Sequence, residues 1–205
     1  LGTVLSAYTT AIIFIIYTYF YIQDTFNIIP RYKNIFIKKK LIKLFNINFD
    51  IFIRTILITF AFLWFTYQSS KISEDYLAIN SLLLQFVSLA AFILDAYAFS
   101  TEGVVGFAFG RKVKNSFLFT VKNSFYLSFF TALIISLIYM IFFKDIINNL
   151  TDSDFLRFLS YEFIIWVVLI PPFASICYQY DGIFIGTSQT KEMRNSMIIS
   201  VFFYI

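Results

Sequence analysis

The sequence contains no histidine and a single cysteine among its 205 residues, and only 14% of those residues are charged. The absence of histidine excludes Ser-His and Cys-His catalytic pairs and histidine-ligated metal sites. Cys177 has no second cysteine for an internal disulfide, and we interpret it as a packing residue in an apolar run. No paired catalytic acids, no nucleophile with a base and no set of metal ligands is visible. We therefore expect neither an enzyme nor a bound cofactor.

The shortage of charge is matched by an excess of apolar residues. A soluble domain carries about 25% charged residues, whereas this sequence is 60% hydrophobic and includes 29 Phe and 14 Tyr. This composition predicts that the protein's main partner is a lipid bilayer rather than a nucleic acid, despite the net charge of +4. The sequence begins and ends within apolar stretches, and we expect it to be a piece of a longer protein.

Six apolar segments predict the fold. A helix that crosses a bilayer needs about 20 mostly apolar residues. Five segments are long enough, and a sixth begins near the end of the sequence: 1–22, 51–70, 76–109, 124–143, 158–187 and 196–205. Because lipid offers no hydrogen-bond partner to exposed backbone groups, we predict an all-α, polytopic transmembrane helix bundle without β-sheet.

The basic residues orient these segments. Residues 23–54, 110–122 and 188–195 alternate along the chain with residues 69–75 and 144–157. Thirteen of the sixteen Lys and Arg residues lie in the first set: Arg31, Lys33, Lys38, Lys39, Lys40, Lys43, Arg54, Arg111, Lys112, Lys114, Lys122, Lys191 and Arg194. Cytoplasmic loops carry an excess of Lys and Arg. We therefore place the first set in the cytoplasm and the second set outside.

The longest of these basic stretches, residues 23–50, has two interpretations. Between Asn34 and Phe45, apolar and basic residues interleave as in a helix that lies among lipid headgroups, where Lys side chains bind anionic lipids. The simpler interpretation, which we prefer, is a basic cytoplasmic loop that joins two helix bundles. Arg54 then lies at the end of the following span, where its side chain can extend to the membrane surface.

Most of the acidic residues fall in loops or at the ends of predicted spans, but Asp95, Glu102 and Asp181 lie well within them. An ionisable group at such a position indicates function and needs water, a partner or a proton. In the span 76–109, one face carries the polar positions and predicts contact with the bundle interior or an aqueous cavity. Its members recur at spacings of three, four or seven residues: Ser81, Gln85, Ser88, Asp95, Phe99, Glu102 and Gly106.

The span 158–187 also combines polar residues with backbone irregularity. Tyr178 and Asp181 share one helical face with Pro171, and the Pro171-Pro172 pair predicts an interruption of the helix. Interrupted helices are where membrane transporters commonly place their sites. Several glycines permit close helix approach: Gly182, Gly186, Gly103, Gly106 and Gly110.

These residues carry a family resemblance. The stretches that carry it are Arg54-Thr55 before an aromatic-rich helix, Leu77-Ala-Ile-Asn80 with Gln85, Leu94-Asp95-Ala-Tyr-Ala-Phe-Ser-Thr-Glu102-Gly-Val-Val-Gly106, and Tyr180-Asp181-Gly182-Ile-Phe-Ile-Gly186 continuing to Met193-Arg194-Asn195. In this order the sequence resembles the MATE (multidrug and toxic compound extrusion) family, in particular its DinF-like branch. One departure is Asp95-Ala96, where the family commonly has Asp-Gly.

The resemblance implies a two-lobe transporter that alternates access to a central cavity. Residues 1–22 correspond to the last helix of the first lobe, 23–50 to the cytoplasmic linker, and 51–205 to helices seven to eleven. It implies a multi-pass protein of the plasma (inner) membrane, monomeric at full length, that exports toxic, cationic or amphipathic small molecules in exchange for H⁺ or Na⁺. The implied coupling carboxylates are Asp181 and Asp95, and the implied cavity residues are Gln85, Asn80, Glu102 and Tyr178.

Two other functions remain open at this point. A related flippase for lipid-linked oligosaccharides has a similar architecture, but it would be expected to have a cationic cavity for pyrophosphate. No basic residue lies within 76–109 or 158–187. A non-transporting membrane subunit of a larger complex would have no cavity at all.

Overall fold

The computed structural model describes residues 2–26 and 37–205, which form seven α-helices and no β-strand. The helices are α1 (Gly2–Phe26), α2 (Lys38–Ile72), α3 (Glu74–Gly110), α4 (Lys114–Leu150), α5 (Asp154–Glu162), α6 (Ile164–Gly186) and α7 (Thr190–Tyr204). The structure is 93% helical, which confirms the all-α prediction. Five of the described helices, α1 to α4 and α6, are long and apolar enough to cross a membrane.

The chain divides into two compact units, Leu1–Phe45 and Asn46–Ile205. In the first unit, α1 exposes nearly all of its described side chains, including Ile13, Phe14 and Tyr17. Arg31 and Lys33, which we placed in the cytoplasmic linker, lie outside the described residues. The assignment of residues to two lobes stays a prediction.

Helix α2 is longer than the predicted span 51–70. It begins at Lys38 and continues for 35 residues without a glycine or a proline to end it, which corresponds to a length of about 52 Å. Residues 38–50 therefore extend the spanning helix itself. The separate helix among the headgroups, which is the alternative interpretation, is not formed by these residues, and the part of the preferred loop from Lys38 to Asp50 is helical. Nothing in the sequence breaks the helix between Lys38 and the span.

Helix α3 starts with a well-formed cap. The Ser73 hydroxyl accepts a hydrogen bond from the backbone N–H of Tyr76 at 3.3 Å, which satisfies one of the free donors of the first turn. Glu74 and Asp75 place negative charge at the positive end of the helix dipole. The helix then runs to Gly110, in agreement with the long segment predicted from the sequence.

Helices α3, α4 and α6 pack around a common apolar core. Its central side chains are Phe86 of α3, Tyr139, Phe143 and Ile147 of α4, and Val167 of α6. The Tyr139 hydroxyl donates to the backbone carbonyl of Phe86 at 2.8 Å, so its one polar group is satisfied within the core. This three-helix core is the framework on which the polar residues of α3 and α6 are mounted.

Helix α6 does not break at its prolines, which corrects the prediction of an interrupted helix. It runs continuously from Ile164 to Gly186 with Pro171 and Pro172 inside. Pro172 lacks the N–H that would bond the carbonyl of Val168. The Ser136 hydroxyl of α4 donates to that carbonyl at 2.7 Å. A side chain of a neighbouring helix thus replaces the missing backbone donor.

The predicted segment 158–187 is divided at a different place. Helix α5 ends at Glu162, and α6 begins at Ile164, so the irregular residue is Phe163. The last segment begins at Thr190, earlier than predicted, and its 15 residues form α7.

We predict that Ser136→Ala destabilises the protein because it leaves the Val168 carbonyl without a donor. The expected loss is about 1–3 kcal/mol, the cost of an unsatisfied buried polar group. Thermal unfolding of the purified protein in detergent measures it. In a Pro172→Ala background the backbone N–H returns, and the same substitution is expected to have almost no effect.

Ser128→Ala is the matched control for this prediction. Ser128 is a buried serine of the same helix, but its hydroxyl has no hydrogen-bond partner among the described residues. Its removal is expected to be neutral or stabilising. Equal losses for Ser136→Ala and Ser128→Ala would contradict the role assigned to Ser136.

Candidate functional site

An ion pair joins α2 to α6 within the spans. Arg54 donates from its Nη2 atom to Oδ2 of Asp181, and the two side chains are only 18% and 22% exposed. This pairing corrects the expectation that Arg54 extends to the membrane surface. An ionised carboxylate within a span is costly when it has no partner, and a fixed cation beside it lowers that cost. Helix α2 provides this cation.

Asp95 of α3 belongs to the same group of charges. It interacts electrostatically with Arg54 and with Asp181. Tyr178, one turn before Asp181 on α6, interacts with all three. The structure therefore brings together the two predicted coupling carboxylates and one predicted cavity residue. We call Arg54, Asp95 and Asp181 the charged cluster. Its formal charge is −1 when both carboxylates are ionised.

A second ion pair lies one helical turn before Arg54 on α2. Asp50 accepts a hydrogen bond from Nη1 of Arg194 at 2.6 Å and another from the Thr190 hydroxyl at 3.1 Å. Both partners belong to α7. Asp50 and Arg54 are four residues apart and share a helical face, so the middle of α2 is tied to α6 and α7 by two pairs of opposite charge.

The backbone of α2 keeps its distance from the helices that these side chains reach. It makes no close approach to the backbone of α3, α4, α6 or α7. Near the C-terminal end of α2, the Asn80 amide of α3 donates to the Ser69 hydroxyl at 2.7 Å. Polar side chains thus connect α2 to its neighbours near the middle of the helix, at Asp50 and Arg54, and near its C-terminal end, at Ser69.

An apolar cleft occupies the space between these two attachments. It consists of two adjoining cavities of about 470 Å³ and 400 Å³ that share four wall residues, Phe65, Leu84, Val87 and Ile170. The larger cavity is also lined by Asn80, Tyr76, Phe163 and Trp166. Aromatic walls with a single amide suit the apolar body of a small molecule. Asn80 is the one predicted cavity residue that lines this cleft.

Glycines hold α3 and α6 in close contact beside the cluster. A Cβ atom at Gly182 would overlap the backbone oxygen of Ala98, and one at Gly186 would overlap that of Glu102. A Cβ at Gly106 would approach the Gly186 oxygen to 2.9 Å. The predicted close approach is confirmed at these three positions.

At Gly103 and Gly110 the same prediction is wrong. Among the described residues, no atom lies within 4 Å of a Cβ built at either position, because both glycines point away from the contacts between these helices. Deep in the α3–α6 contact, the Thr101 hydroxyl instead donates to the Gln179 side chain at 2.9 Å, with both residues buried. The interface thus combines backbone proximity with a buried polar pair.

The rest of the polar face of α3 points elsewhere. Ser81, Gln85 and Ser88 are exposed, whereas Phe86, Ala90 and Leu94 are buried in the core. These three residues therefore do not face the described core, which the apolar face of α3 fills, whereas Asp95 and Gly106 of the same polar face lie toward the neighbouring helices. Whether the exposed part of this face meets a bundle interior or an aqueous cavity stays a prediction. Glu102 is half-buried and has no side-chain hydrogen bond among the described residues, and its part in a cavity also stays a prediction.

Sequence reasoning missed the role of Arg54 and the pair formed by Asp50 and Arg194. One signal was available: an acidic residue within a span calls for a partner, and Arg54 is the only basic residue inside a predicted span. Among the described residues, no group of three His, Cys, Asp or Glu side chains could hold a metal ion. The two carboxylates of the cluster are suited to a proton or one monovalent cation.

The long apolar helices and the charged cluster between them define a multi-pass α-helical membrane protein. Comparison with known families identifies it further, because the sequence pattern of the MatE family matches residues 51–205. The chain belongs to this family. No solved structure matches it.

A relative supports the same assignment. The chain is 30% identical over 158 residues to DNA damage-inducible protein F of Escherichia coli (strain K12). The match covers 77% of this chain and 34% of the relative, so the chain spans about one third of the length of that protein. The similarity confirms the resemblance to the DinF-like branch.

We predict that Gly182→Ala separates α3 from α6 and so disturbs the spacing of Asp95 and Asp181. Because the new methyl group would overlap the Ala98 carbonyl, the expected destabilisation is about 1–3 kcal/mol, as for an overpacked core. Size-exclusion chromatography after heating measures the fraction of protein that remains folded.

The control is Gly103→Ala, a glycine of α3 with open space at its Cβ position. Replacing a helical glycine by alanine there is expected to be neutral or to stabilise by about 0.5–1 kcal/mol. A Gly182→Ala protein as stable as the Gly103→Ala protein would contradict the tight contact.

Proposed function

We propose that the protein is a secondary active antiporter of the plasma membrane, which exports cationic or amphipathic compounds in exchange for H⁺ or Na⁺. The observation that carries this proposal is the charged cluster. Asp95 and Asp181, with one Arg54, leave a single negative charge inside the spans. One proton or one monovalent cation completes the charge balance, as coupling to an ion gradient requires.

The apolar cleft beside the cluster supports the substrate class. Its walls suit an apolar or aromatic body, and the cluster supplies a net negative charge for a cationic group. Ile58, which lines the smaller cavity, is one turn beyond Arg54 on α2, so the cleft begins close to the cluster. A pyrophosphate-bearing lipid would meet the wrong sign of charge here, which disfavours the flippase alternative.

The ion gradient is sufficient for this exchange. Each elementary charge that moves inward through 100 mV supplies about 2.3 kcal/mol, and a tenfold concentration gradient costs about 1.4 kcal/mol. One H⁺ or Na⁺ per uncharged amphipathic molecule therefore sustains a gradient of more than tenfold. One-for-one exchange with a monovalent cationic compound moves no net charge, so the concentration gradient of the coupling ion alone drives it. Binding of that ion at Asp181 or Asp95, alternating with binding of substrate, would couple the two movements.

We predict that Asp181→Asn abolishes gradient-driven export while the protein stays folded and inserted. Asparagine keeps hydrogen-bonding capacity but can neither bind a proton nor hold a cation by charge. Efflux of ethidium from energised vesicles that contain the complete gene product, at matched protein levels, measures the effect. Asp152→Asn is the control, because Asp152 is fully exposed and outside the helices; it is expected to transport normally. Near-wild-type efflux by Asp181→Asn would exclude a coupling role.

We also predict the topology of the chain. Residues 39 and 194 are expected on the cytoplasmic side, and residues 144–157 on the outer side, because basic residues accumulate in cytoplasmic segments. Single cysteines at positions 39 and 152, in a protein with Cys177 replaced by serine, can be labelled from outside by a membrane-impermeant maleimide. Labelling at position 152 alone is expected. Labelling at position 39 alone would reverse the assigned orientation.

A further inference from the structure

Arg54 interacts with two carboxylates that belong to different helices. It pairs with Asp181 of α6 and interacts electrostatically with Asp95 of α3. We propose that Arg54 is a tethered counter-cation, which competes with the coupling ion for Asp181 and is held by Asp95 while that ion is bound. This inference rests on the proposed function, since it assigns Arg54 a positioning role in the same exchange.

The first argument is the charge balance. With Arg54 on Asp181, an incoming cation finds one oxygen of that carboxylate already occupied by a guanidinium nitrogen. Two cations on one carboxylate repel each other, whereas one on each carboxylate makes the whole site neutral. Asp95 is the other acid that interacts electrostatically with Arg54, and we assign it as the partner of the displaced guanidinium.

The second argument is the incomplete bonding of Arg54. A guanidinium carries five N–H donors, and its Nε atom is buried without a hydrogen-bond partner among the described residues. A buried donor without an acceptor is unfavourable. The pairing with Asp181 therefore leaves part of the guanidinium without a hydrogen bond. If Arg54 moves so that Nε gains a carboxylate acceptor, the new hydrogen bond offsets the loss of the bond to Asp181.

The third argument is the difference in how the three helices are held. The two carboxylates lie on α3 and α6, which the contacts at Gly182 and Gly186 lock together. Arg54 lies on α2, whose backbone stays away from α6 and beside which the apolar cleft leaves space. Movement of the Arg54 side chain between the two acids therefore leaves the contact between α3 and α6 intact.

The neighbouring groups do not provide another cation. The further titratable groups that interact with the cluster are Tyr178 and Cys177, and neither can carry a positive charge. Arg194 is bound to Asp50. Within the described part of the chain, Arg54 is thus the fixed cation of this site.

The test measures cation binding, so it does not depend on transport. The thermal midpoint of the purified complete gene product is followed as Na⁺ replaces choline at constant ionic strength, and separately as pH is changed without Na⁺. A ligand that binds the folded state raises the midpoint. Removing the competitor with Arg54→Gln is expected to lower the half-maximal concentration of Na⁺ or H⁺ roughly tenfold or more, the range by which an adjacent opposite charge alters cation binding by a carboxylate.

Two further variants separate this role from simple structural support. Arg194→Gln breaks an ion pair of similar burial on the same α2 helix, and it is expected to lower the midpoint without changing the half-maximal cation concentration. Arg54→Lys keeps a tethered cation, and it is expected to stay within about threefold of the wild type, because a compact ammonium still neutralises the carboxylate. Arg54→Lys also serves as the folded comparison where Arg54→Gln expresses poorly.

Asp95→Asn tests the second position of Arg54. If Asp95 receives the guanidinium, this substitution is expected to weaken cation binding clearly in the wild-type background and much less in the Arg54→Gln background. Equal effects in the two backgrounds would show that Asp95 acts on the cation directly and would overturn the transfer.

The other results that overturn the inference are equally definite. The first is an Arg54→Gln protein whose half-maximal concentration of Na⁺ or H⁺ is unchanged. The second is an Arg54→Gln protein that responds to neither cation. The third is an Arg54→Lys protein that behaves as Arg54→Gln does. If cation binding shifts as expected but Asp181→Asn transports ethidium normally, the proposed function fails while Arg54 remains the competitor at this site. If Asp181→Asn abolishes efflux but the titrations do not shift, the inference alone fails.

Discussion

The close contact between α3 and α6 is the constraint on which the rest of the site depends. Two glycines of α6, at positions 182 and 186, let its backbone lie against the carbonyl groups of Ala98 and Glu102. In lipid there is no hydrophobic effect to drive helices together, so small residues and interhelical hydrogen bonds decide where they meet. This contact, supported by the buried pair of Thr101 and Gln179, places Asp95 and Asp181 in one electrostatic group.

Helix α2 follows the opposite rule. Its backbone remains apart, and polar side chains near its middle and its C-terminal end connect it to α3, α6 and α7. Between these connections lies an apolar cleft rather than a packed interface. Helices α3 and α6 are locked together and carry the two acids, whereas α2 carries the arginine and lacks close backbone contact with them. In such an arrangement, a change in the charge of an acid can change the position of Arg54.

The prolines of α6 illustrate how a membrane helix tolerates a defect. Their sequence suggested an interruption, yet the helix continues, because Ser136 of α4 supplies a donor to the Val168 carbonyl. The consequence is that an irregularity in one helix is compensated by a residue on another. The same holds for the charges, since the carboxylate of Asp181 is neutralised from α2 and not from its own helix.

The sequence alone determined the helical class, the number of spanning segments, the family and the two carboxylates, because lipid requires long apolar helices and makes a buried acid conspicuous. It also marked Gly182 and Gly186 as contact positions. Only the tertiary structure decided which partner each polar group has: Arg54 for Asp181, Arg194 for Asp50 and Ser136 for the carbonyl freed by Pro172. Helical periodicity assigns a residue to a face of its own helix, but it carries no information about which residue of a distant helix lies opposite.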